Sequence, residues 1–396
     1  MADSYENLEI LQDIGNKIKD EYSNFTTLNI VIIGKTGVGK STLINTIFGQ
    51  KLAETGIGKP VTQAIRKIEK KDIPLVLYDT PGMELKGDNT AQNLLDDVVD
   101  LINNGTETGD VNQAIHCVWY CINASSGRIE PTEIQFLRDL AIKTKYCNVP
   151  LVVILTKSIL KENVKQIKEE IEKENLPIKK IIPVLSENFP TDGGMEIKAH
   201  GIEQLAWEMN DILPDYVKAT FISIQDASIA LKQEKARIVI KSTVITVMAI
   251  GGLPIPTSDA PLIMTAQMDM IAKITAAFGL RIEKEKYMTI IYAILGTTGA
   301  TSAGKKIVSN IFKMIPGVGT IAGGAISAAT AATLTTALGE TYIVILGQIA
   351  KGKISLADLS TKKVQREMQH EFKAQMKKAS RSEERRVGKE CRSRWS

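Results

Sequence analysis

Short apolar runs and longer amphipathic segments alternate along residues 28–213. Short apolar runs bounded by turn residues are typical of buried strands, whereas apolar residues recurring every three or four positions are typical of helices. The predicted strands are 28–33, 66–70, 73–78, 115–122, 150–155 and 180–185, and the predicted helices are 41–49, 90–103, 131–145, 160–174 and 201–212. Such alternation predicts an α/β domain with a mainly parallel sheet that helices cover on both faces.

The pattern changes near residue 214. Across 214–352 strand signals fade and apolar helical runs predominate, which predicts an all-α helical domain after the α/β domain. Charged residues are absent from 242–258, 287–304 and 314–339. The last stretch is long enough to cross a bilayer, but the buried helices of a soluble bundle have the same composition. Pro316 and the many Ala and Thr residues favour the bundle, and membrane insertion is the alternative.

Amphipathic helices are predicted at both ends of the chain. Residues 4–24 carry an apolar stripe, which we expect to pack on the domain that follows rather than on a partner. Residues 353–380 carry another, formed by Val364, Met368, Phe372 and Met376. The segment 351–378 holds eight basic residues against three acidic ones, which also suits a helix lying on anionic lipid. Docking on the protein is the favoured interpretation, because any surface helix has one apolar stripe.

The composition is ordinary for a globular chain of two domains, with 396 residues of which 44% are hydrophobic and 24% charged. The formal charge of +4 depends on residues 381–396. This segment resembles the translated read-through of a sequencing adaptor and is assigned to neither domain. Without it 43 basic residues face 42 acidic ones, so charge predicts no nucleic-acid partner.

The remaining cysteines, Cys117, Cys121 and Cys147, fit no zinc motif and are interpreted as core residues in a reducing compartment. No basic region leads into an apolar run at the start of the chain, so no secretory signal is predicted. We therefore expect a cytoplasmic protein. It would associate with the inner face of the cell membrane if residues 242–352 touch a bilayer.

A glycine-rich motif lies between the first predicted strand and the helix that follows it. Residues 34–41 read Gly-Lys-Thr-Gly-Val-Gly-Lys-Ser, which fits Gly-x-x-x-x-Gly-Lys-Ser/Thr. Glycines let backbone N–H groups approach phosphate oxygens, and the start of a helix favours negative charge. Lys40 is predicted to reach the β- and γ-phosphates, and Ser41 to hold Mg²⁺. The predicted nucleotide-binding residues here are Gly34, Lys35, Thr36, Gly37, Val38, Gly39, Lys40, Ser41 and Thr42.

A second nucleotide signal, Asp79-Thr80-Pro81-Gly82, directly follows the predicted strand 73–78. The carboxylate of Asp79 can hold Mg²⁺ through its water shell, and the N–H of Gly82 can contact the γ-phosphate. Thr62, in the loop between the two motifs, is the candidate for the switch threonine that completes the Mg²⁺ shell. Thr55 is the alternative.

These motifs, with Thr156 and Lys157, resemble the Era-like branch of the translation-factor-related GTPases over residues 28–213. The resemblance implies a P-loop G domain that binds GTP or GDP with Mg²⁺, the metal being held by Ser41, Thr62 and Asp79. It implies that Lys40, Thr62 and Gly82 serve hydrolysis, and that loops near 50–65 and 82–92 change with the nucleotide. An activating partner or a homodimer would suit this kinship.

The chain departs from the family pattern at two positions. Ile159 stands where the family's base-reading motif has an aspartate, although Lys157 can still stack on a purine. Glu162 is a candidate substitute acceptor and Ser186 a candidate backbone contact to the base, and an ATP-using P-loop protein is the alternative. Met83 stands where some relatives have a water-positioning glutamine, so intrinsic hydrolysis is expected to be slow.

The predicted organisation is an N-terminal helix at 1–26, a GTPase domain at 27–213, an apolar helical domain at 214–352, a basic helix at 353–380 and the adaptor-like segment 381–396. Within the helical domain, 252–280 is similar to a module of unknown function that follows G domains in some bacterial GTPases and occurs in bacterial membrane proteins. The main hypothesis is a GTPase switch that acts on the helical domain. The alternative is a membrane-inserting or membrane-remodelling protein that its G domain gates.

Overall fold

The computed structural model describes residues 2–49, 57–60, 65–80, 88–191, 193–251, 259–280, 290 and 328–393. The chain divides into two compact units, one of Phe25–Leu231 and one of Met1–Asn24 together with Lys232–Ser396.

The unit Phe25–Leu231 is built on a mixed sheet of seven strands. Its strands are β1 Leu28–Ile33, β2 Ile57–Pro60, β3 Arg66–Glu69, β4 Leu75–Asp79, β5 Cys117–Asn123, β6 Leu151–Thr156 and β7 Lys180–Pro183. Their order is β2-β3-β4-β1-β5-β6-β7. The five strands from β4 to β7 in this order are parallel, while β3 runs antiparallel to both β2 and β4. A small hairpin, β8 Phe189–Pro190 and β9 Glu196–Ile197, follows β7.

Helices make up most of the remaining described chain. They are α1 Ala2–Ser23, α2 Lys40–Phe48, α3 Asp88–Glu107, α4 Pro131–Tyr146, α5 Lys161–Lys173, α6 Ile202–Ile212, α7 Asp215–Ile224, α8 Ile229–Gly251, α9 Asp259–Phe278, α10 Ala328–Ala350 and α11 Lys362–Ser393.

Both faces of the sheet are buried, as the near-continuous apolar strands predict. Ile30 and Ile32 of β1 belong to one apolar cluster, which includes residues of α2, α6 and α7. Val31 and Ile33, which point to the other face, belong to a second cluster with residues of α3, α4 and α5. The predicted fold class, a mainly parallel sheet flanked by helices and followed by a helical region, is confirmed.

Besides the small hairpin of β8 and β9, this unit contains two further elements that the sequence analysis does not predict in it. Residues 57–60 were interpreted as loop but form β2, because their backbone pairs antiparallel with β3 from Ile57↔Glu69 to Pro60↔Arg66. Helix α7 lies beyond the predicted boundary at 213, yet its Val217 and Phe221 are buried in the same cluster as α2. The compact unit therefore ends at Leu231 rather than at 213.

The expectation that the N-terminal helix packs on the domain that follows it is wrong. Helix α1 belongs to the same compact unit as α9, on which it packs. Ile14 and Ile18 of α1 are buried, and the ammonium of Lys17 lies 3.9 Å from a carboxylate oxygen of Asp269 on α9. The predicted apolar stripe of α1 is buried, but the sequence pattern of a stripe does not indicate which surface covers it.

Helix α10 is the central helix of the helical unit and packs on α9 and α11. Thr335 and Tyr342 face α9, where the Nε2 of Gln267 donates to Thr335 Oγ1 at 2.9 Å and the hydroxyls of Thr275 and Tyr342 lie 2.8 Å apart. A Cβ at Gly339 would lie 2.6 Å from Ile240, so α8 also approaches closely. Among the described residues, α10 is the one helix long and apolar enough to cross a membrane, and 67% of its apolar window is buried.

The other parts of the charge-free stretches, 252–258, 287–304 apart from residue 290, and 314–327, lie outside the described residues. Helix α11 begins at Lys362 rather than at 353, because the turn before it is closed by Asp358, whose Oδ2 accepts from the N–H and the hydroxyl of Ser355. Its residues Val364, Met368 and Phe372 are buried, and it packs on α10, as the docking interpretation predicted.

Candidate nucleotide-binding site

The glycine-rich motif forms the connection between β1 and α2, at the carboxyl end of the central strand. Gly37 and Gly39 have φ values of 73° and 101°, in the left-handed region that glycine adopts without strain. At Gly34 a Cβ would lie 2.6 Å from the carbonyl oxygen of Cys121 on β5. The loop is therefore held close to the neighbouring strand in a conformation that needs glycine.

Lys40, the first residue of α2, is directed back over this loop. Its side chain is buried, with the residue 8% exposed, and its ammonium donates to the carbonyl of Gly34 at 2.6 Å and to that of Lys35 at 3.4 Å. Ser41 and Thr42 follow in the first turn of α2, and the side chain of Ser41 is exposed. The arrangement suits an anion at the N-terminus of α2, since the first N–H groups of a helix are free and the ammonium of Lys40 adds positive charge at the loop.

Asp79 ends β4, next to β1 in the sheet. Its Oδ1 is buried and has no hydrogen-bond partner among the residues that the structure describes. Burial raises the pKa of Asp79 above its ordinary value, against the opposing positive charges of Lys40 and Arg66. A buried carboxylate oxygen without a donor is costly, and a hydrated Mg²⁺ would supply what it lacks.

The donor set suits magnesium held partly by a nucleotide. In the described part of the chain, no group of three or more His, Cys, Asp or Glu residues could hold a metal by itself. Asp79 and the hydroxyl of Ser41 are hard oxygen donors of the kind that Mg²⁺ takes alongside phosphate oxygens and water. The predicted Thr62 and Gly82, the alternative Thr55 and the departure at Met83 all lie outside the described residues.

The end of β6 is joined to the glycine-rich loop by two side chains. The hydroxyl of Thr156 lies 2.6 Å from the carbonyl oxygen of Val38 and 3.0 Å from that of Ile122. The ammonium of Lys157 donates to the carbonyl of Gly37 at 2.6 Å. Lys157 has a φ of 50°, an uncommon conformation for a residue with a side chain. Thr156 and Lys157 therefore tie this strand end to the loop.

Base-reading groups are few at this end of the sheet. Ile159 is half-buried, and Ser158 is turned inward, with its hydroxyl donating to the carbonyl of Leu155 at 2.6 Å. Glu162 is exposed in the first turn of α5, and Ser186 is half-buried after Leu185. No carboxylate occupies position 159 itself, so any guanine contact must come from backbone groups or from a neighbouring side chain.

Sequence reasoning missed two polar clusters around the loop. The ammonium of Lys35 lies 2.8 Å from Glu133 and 2.9 Å from Glu130. Burial lowers the pKa of Lys35, but the hydrogen bonds to these two carboxylates outweigh it and raise that pKa overall. Asn123, beside Thr156 in the sheet, accepts from the N–H of Ser125 at 3.0 Å. The sequence Asn-Ala-Ser-Ser-Gly is a turn signal that could have identified the second cluster.

The fold and the site of the unit Phe25–Leu231, called the nucleotide-binding unit below, are similar to those of a P-loop GTPase domain. Residues 29–185 match the family model described as "50S ribosome-binding GTPase".

Curated relatives match parts of the chain. Septin-9 of Homo sapiens is 27% identical over 135 residues, which are 28% of this chain and 23% of that protein. Cell division control protein 11 of Saccharomyces cerevisiae is 26% identical over 196 residues, covering 42% of this chain and 44% of that protein. GTPase Era of Rickettsia conorii is 45% identical over 71 residues, 16% of this chain and 20% of that protein. The chain thus spans less than half the length of these relatives.

Among solved structures, one match is Toc33 from Arabidopsis thaliana, described as a dimerization-deficient mutant. The alignment covers 55% of this chain and 92% of the Toc33 chain. The two chains are 15% identical, and the TM-score is 0.30.

Proposed function

We propose that this protein hydrolyses GTP with Mg²⁺ and acts as a molecular switch whose nucleotide state alters the helical unit. The observation that carries the proposal is the buried, unpartnered Oδ1 of Asp79 at the edge of a glycine-rich loop that also holds the ammonium of Lys40. A bound Mg²⁺ would neutralise charge on the phosphate oxygens. Ser41, Thr62 and Asp79 are the residues proposed to hold it.

The remaining roles follow from the chemistry of phosphoryl transfer, in which positioning and charge stabilisation dominate. Lys40 would leave the carbonyls of Gly34 and Lys35 to contact the β- and γ-phosphates, and the N–H of Gly82 would contact the γ-phosphate. Met83 cannot orient a water molecule, so we expect slow intrinsic hydrolysis. An activating partner, or a second copy of the chain, would then supply the missing group. The proposal includes that the G domain belongs to the Era-like branch and that residues 252–280 are related to the helical module of bacterial GTPases.

Guanine selectivity is proposed to be present but weaker than in relatives with the intact base-reading aspartate. Lys157, whose ammonium is held by Gly37, can offer its stem to a purine of either kind. A site that lacks a donor–acceptor pair for the base discriminates poorly. Ser186 and Glu162 are the remaining candidates for a guanine contact. If ATP displaced GTP at equal concentration, the ATP-using alternative would replace the GTPase proposal.

The experiment that tests the switch proposal measures GTP binding and hydrolysis with Mg²⁺ and with excess chelator. Hydrolysis should require Mg²⁺ and should be lost in Asp79→Asn, which removes the charge while keeping the side-chain size. Asp211→Asn, at an exposed position on α6, is the matched control and should behave as the wild type. Equal hydrolysis with and without chelator would refute the proposed metal site.

A second candidate function, association with an anionic membrane surface, is favoured by the exposed face of α11. That face carries six cationic side chains before the adaptor-like segment, Lys362, Lys363, Arg366, Lys373, Lys377 and Lys378, and the acidic Glu367. None of these cations forms an ion pair with a described residue. The apolar stripe of α11 is buried, and so is most of α10, which favours surface contact over insertion for the described helices.

We propose on this basis that the protein is cytoplasmic and binds the inner face of the cell membrane. Sedimentation of the full chain with vesicles containing anionic lipid tests this. Replacing Lys373 and Lys377 by Glu should reduce binding. The same replacement at Lys143 and Lys145, exposed on α4, is the control of equal charge change. Full chain that stays in the supernatant with vesicles and GTP present would refute membrane association.

A further inference from the structure

Helix α2 has the phosphate-binding loop at one end and a turn formed by residues 225–228 at the other. It runs from Lys40 to Phe48, a length of about 13 Å at 1.5 Å per residue. At its far end, the N–H of Asp226 donates to the carbonyl of Ile47 at 2.7 Å. The bond satisfies one of the carbonyl groups that a helix leaves free at its C-terminus. The turn is therefore attached to the helix that begins with Lys40.

The side chain of Asp226 also lies against this helix end. A Cβ built on Gly49 would be 1.9 Å from the Oδ2 of Asp226, so the carboxylate occupies the space beside that glycine. Gly49 has a φ of 60° and ends α2. It is also the last residue before the predicted switch segment 50–65. Asp226 thus touches the point at which α2 passes into that segment.

Aromatic side chains pack α2 against both β5 and α7. The ring of Phe48 stacks on Trp119 of β5, with centroids 6.1 Å apart and planes 8° from parallel. The ring of Phe221 on α7 meets Phe48 edge-on at 6.5 Å. All three residues are buried. Because such a core is densely packed, a displacement of α2 must be accompanied by its neighbours.

The turn itself is stiff, and it starts the next helix. Gln225 is fully buried, with its Nε2 donating to the carbonyl of Ser228 at 2.9 Å and its Oε1 accepting from the N–H of Ser228 at 2.7 Å. The hydroxyl of Ser228 donates to Glu203 at 3.0 Å and accepts from the N–H of Leu231, in the manner of a helix N-cap. The helix that begins here, α8, continues beyond Leu231 into the helical unit.

We propose that Asp226 is a positioning residue that transmits the nucleotide state from α2 to the start of α8. The inference rests on the proposed function, since it supplies the route by which the switch would act. A change at the phosphates displaces α2, and the contact with Asp226 passes that displacement to the turn and to α8. The carboxylate is the part of this contact that a substitution can remove, because the backbone bond to Ile47 persists.

The test is amide hydrogen exchange in residues 232–251 of the full chain, with Mg²⁺ and either GDP or a slowly hydrolysed GTP analogue. The wild type should exchange differently in the two states. Asp226→Ala should lose about half or more of that difference, whereas its affinities for both nucleotides should stay within about twofold of the wild type. Asp215→Ala is the matched control, because Asp215 is exposed on α7 and pairs with Lys218 of its own helix.

A second variant changes Gly49, the residue that the carboxylate of Asp226 contacts. Gly49→Ala places a methyl group where the carboxylate lies, so it should reduce the exchange difference in the wild-type background. It should have little further effect on that difference when combined with Asp226→Ala. Thermal unfolding verifies that each variant folds, and Asp226→Asn replaces Asp226→Ala if the latter does not.

The outcomes separate this inference from the function on which it rests. If GTP binds and the wild type shows the exchange difference, but Asp226→Ala retains all of it, the role of Asp226 is refuted and the switch proposal survives. If GTP binds and the wild type shows no difference, both the coupling and the switch are refuted. If no nucleotide binds, the proposed function itself fails, and this inference fails with it.

Discussion

The hydroxyl of Thr156 lies 2.6 Å from the carbonyl oxygen of Val38, a residue 118 positions earlier in the chain. The contact joins the end of β6 to the phosphate-binding loop. Thr156→Val preserves shape but leaves a buried carbonyl short of a donor, which costs about 1–3 kcal/mol. We expect roughly tenfold weaker nucleotide binding, measured by titration with a fluorescent GTP analogue. Thr46→Val is the control, because the hydroxyl of Thr46 donates within α2; equal affinities of the two variants would contradict the expectation.

Lys40→Ala should abolish hydrolysis and weaken GTP binding by about a hundredfold, because it removes the ammonium aimed at the phosphates. Lys35→Met provides a control in the same loop. The charge of Lys35 is already paired with Glu130 and Glu133, so its loss should weaken binding much less. Hydrolysis rates and binding isotherms of the two variants check this. Wild-type hydrolysis in Lys40→Ala would mean that the loop is not the active site.

Ile159→Asp should restore base discrimination if the end of β6 has kept the geometry of related GTPases. The preference for GTP over ATP should rise by about tenfold or more, since a site that pairs with the base rejects the wrong one strongly. Competition between labelled GTP and unlabelled ATP measures it. Leu160→Asp adds a carboxylate at the neighbouring position, which is 52% exposed, and should leave the ratio unchanged. An unchanged ratio in Ile159→Asp as well would point to a different acceptor, such as Glu162.

Acid should destabilise the nucleotide-binding unit through His116. Burial lowers the pKa of His116 to about 4, from an ordinary value of 6.5. Between these values the unfolded chain binds a proton that the folded chain does not, so stability falls as the pH drops from about 6.5 to about 4. Over this whole range the loss should be about 3 kcal/mol.

His116→Asn isolates this effect. The Nδ1 of His116 accepts from the N–H of Asn29 at 3.0 Å, and the Oδ1 of Asn can take the same bond without titrating. Urea unfolding at pH 7 and pH 5 should therefore show a larger loss for the wild type than for His116→Asn. Identical losses would exclude His116 as the cause.

Local sequence was sufficient for the parallel strands, for the helices between them and for the phosphate-binding loop. Residues 28–33 and 41–48 could be assigned because hydrophobic period and glycine spacing are both properties of adjacent residues. The partners of Lys35 could not, because Glu130 and Glu133 lie nearly a hundred positions away and have no local signal. The first helix illustrates the same limit. Its apolar stripe was evident from the sequence, but its partner α9 was not. Amphipathicity predicts that one face is buried and does not determine which surface buries it.

The pairing of α1 with α9 also bears on how the protein is made. The helical unit takes its first segment from before the nucleotide-binding unit and the rest from after it. Helix α1 ends at Ser23 and α9 begins at Asp259, so a ribosome adding about 5–20 residues per second needs roughly 10 to 50 seconds to deliver the partner. Throughout that interval Ile14 and Ile18 are uncovered, while the whole of Phe25–Leu231 emerges and can fold. The helical unit can therefore complete its packing only after Asp259 and the residues that follow it have been synthesised.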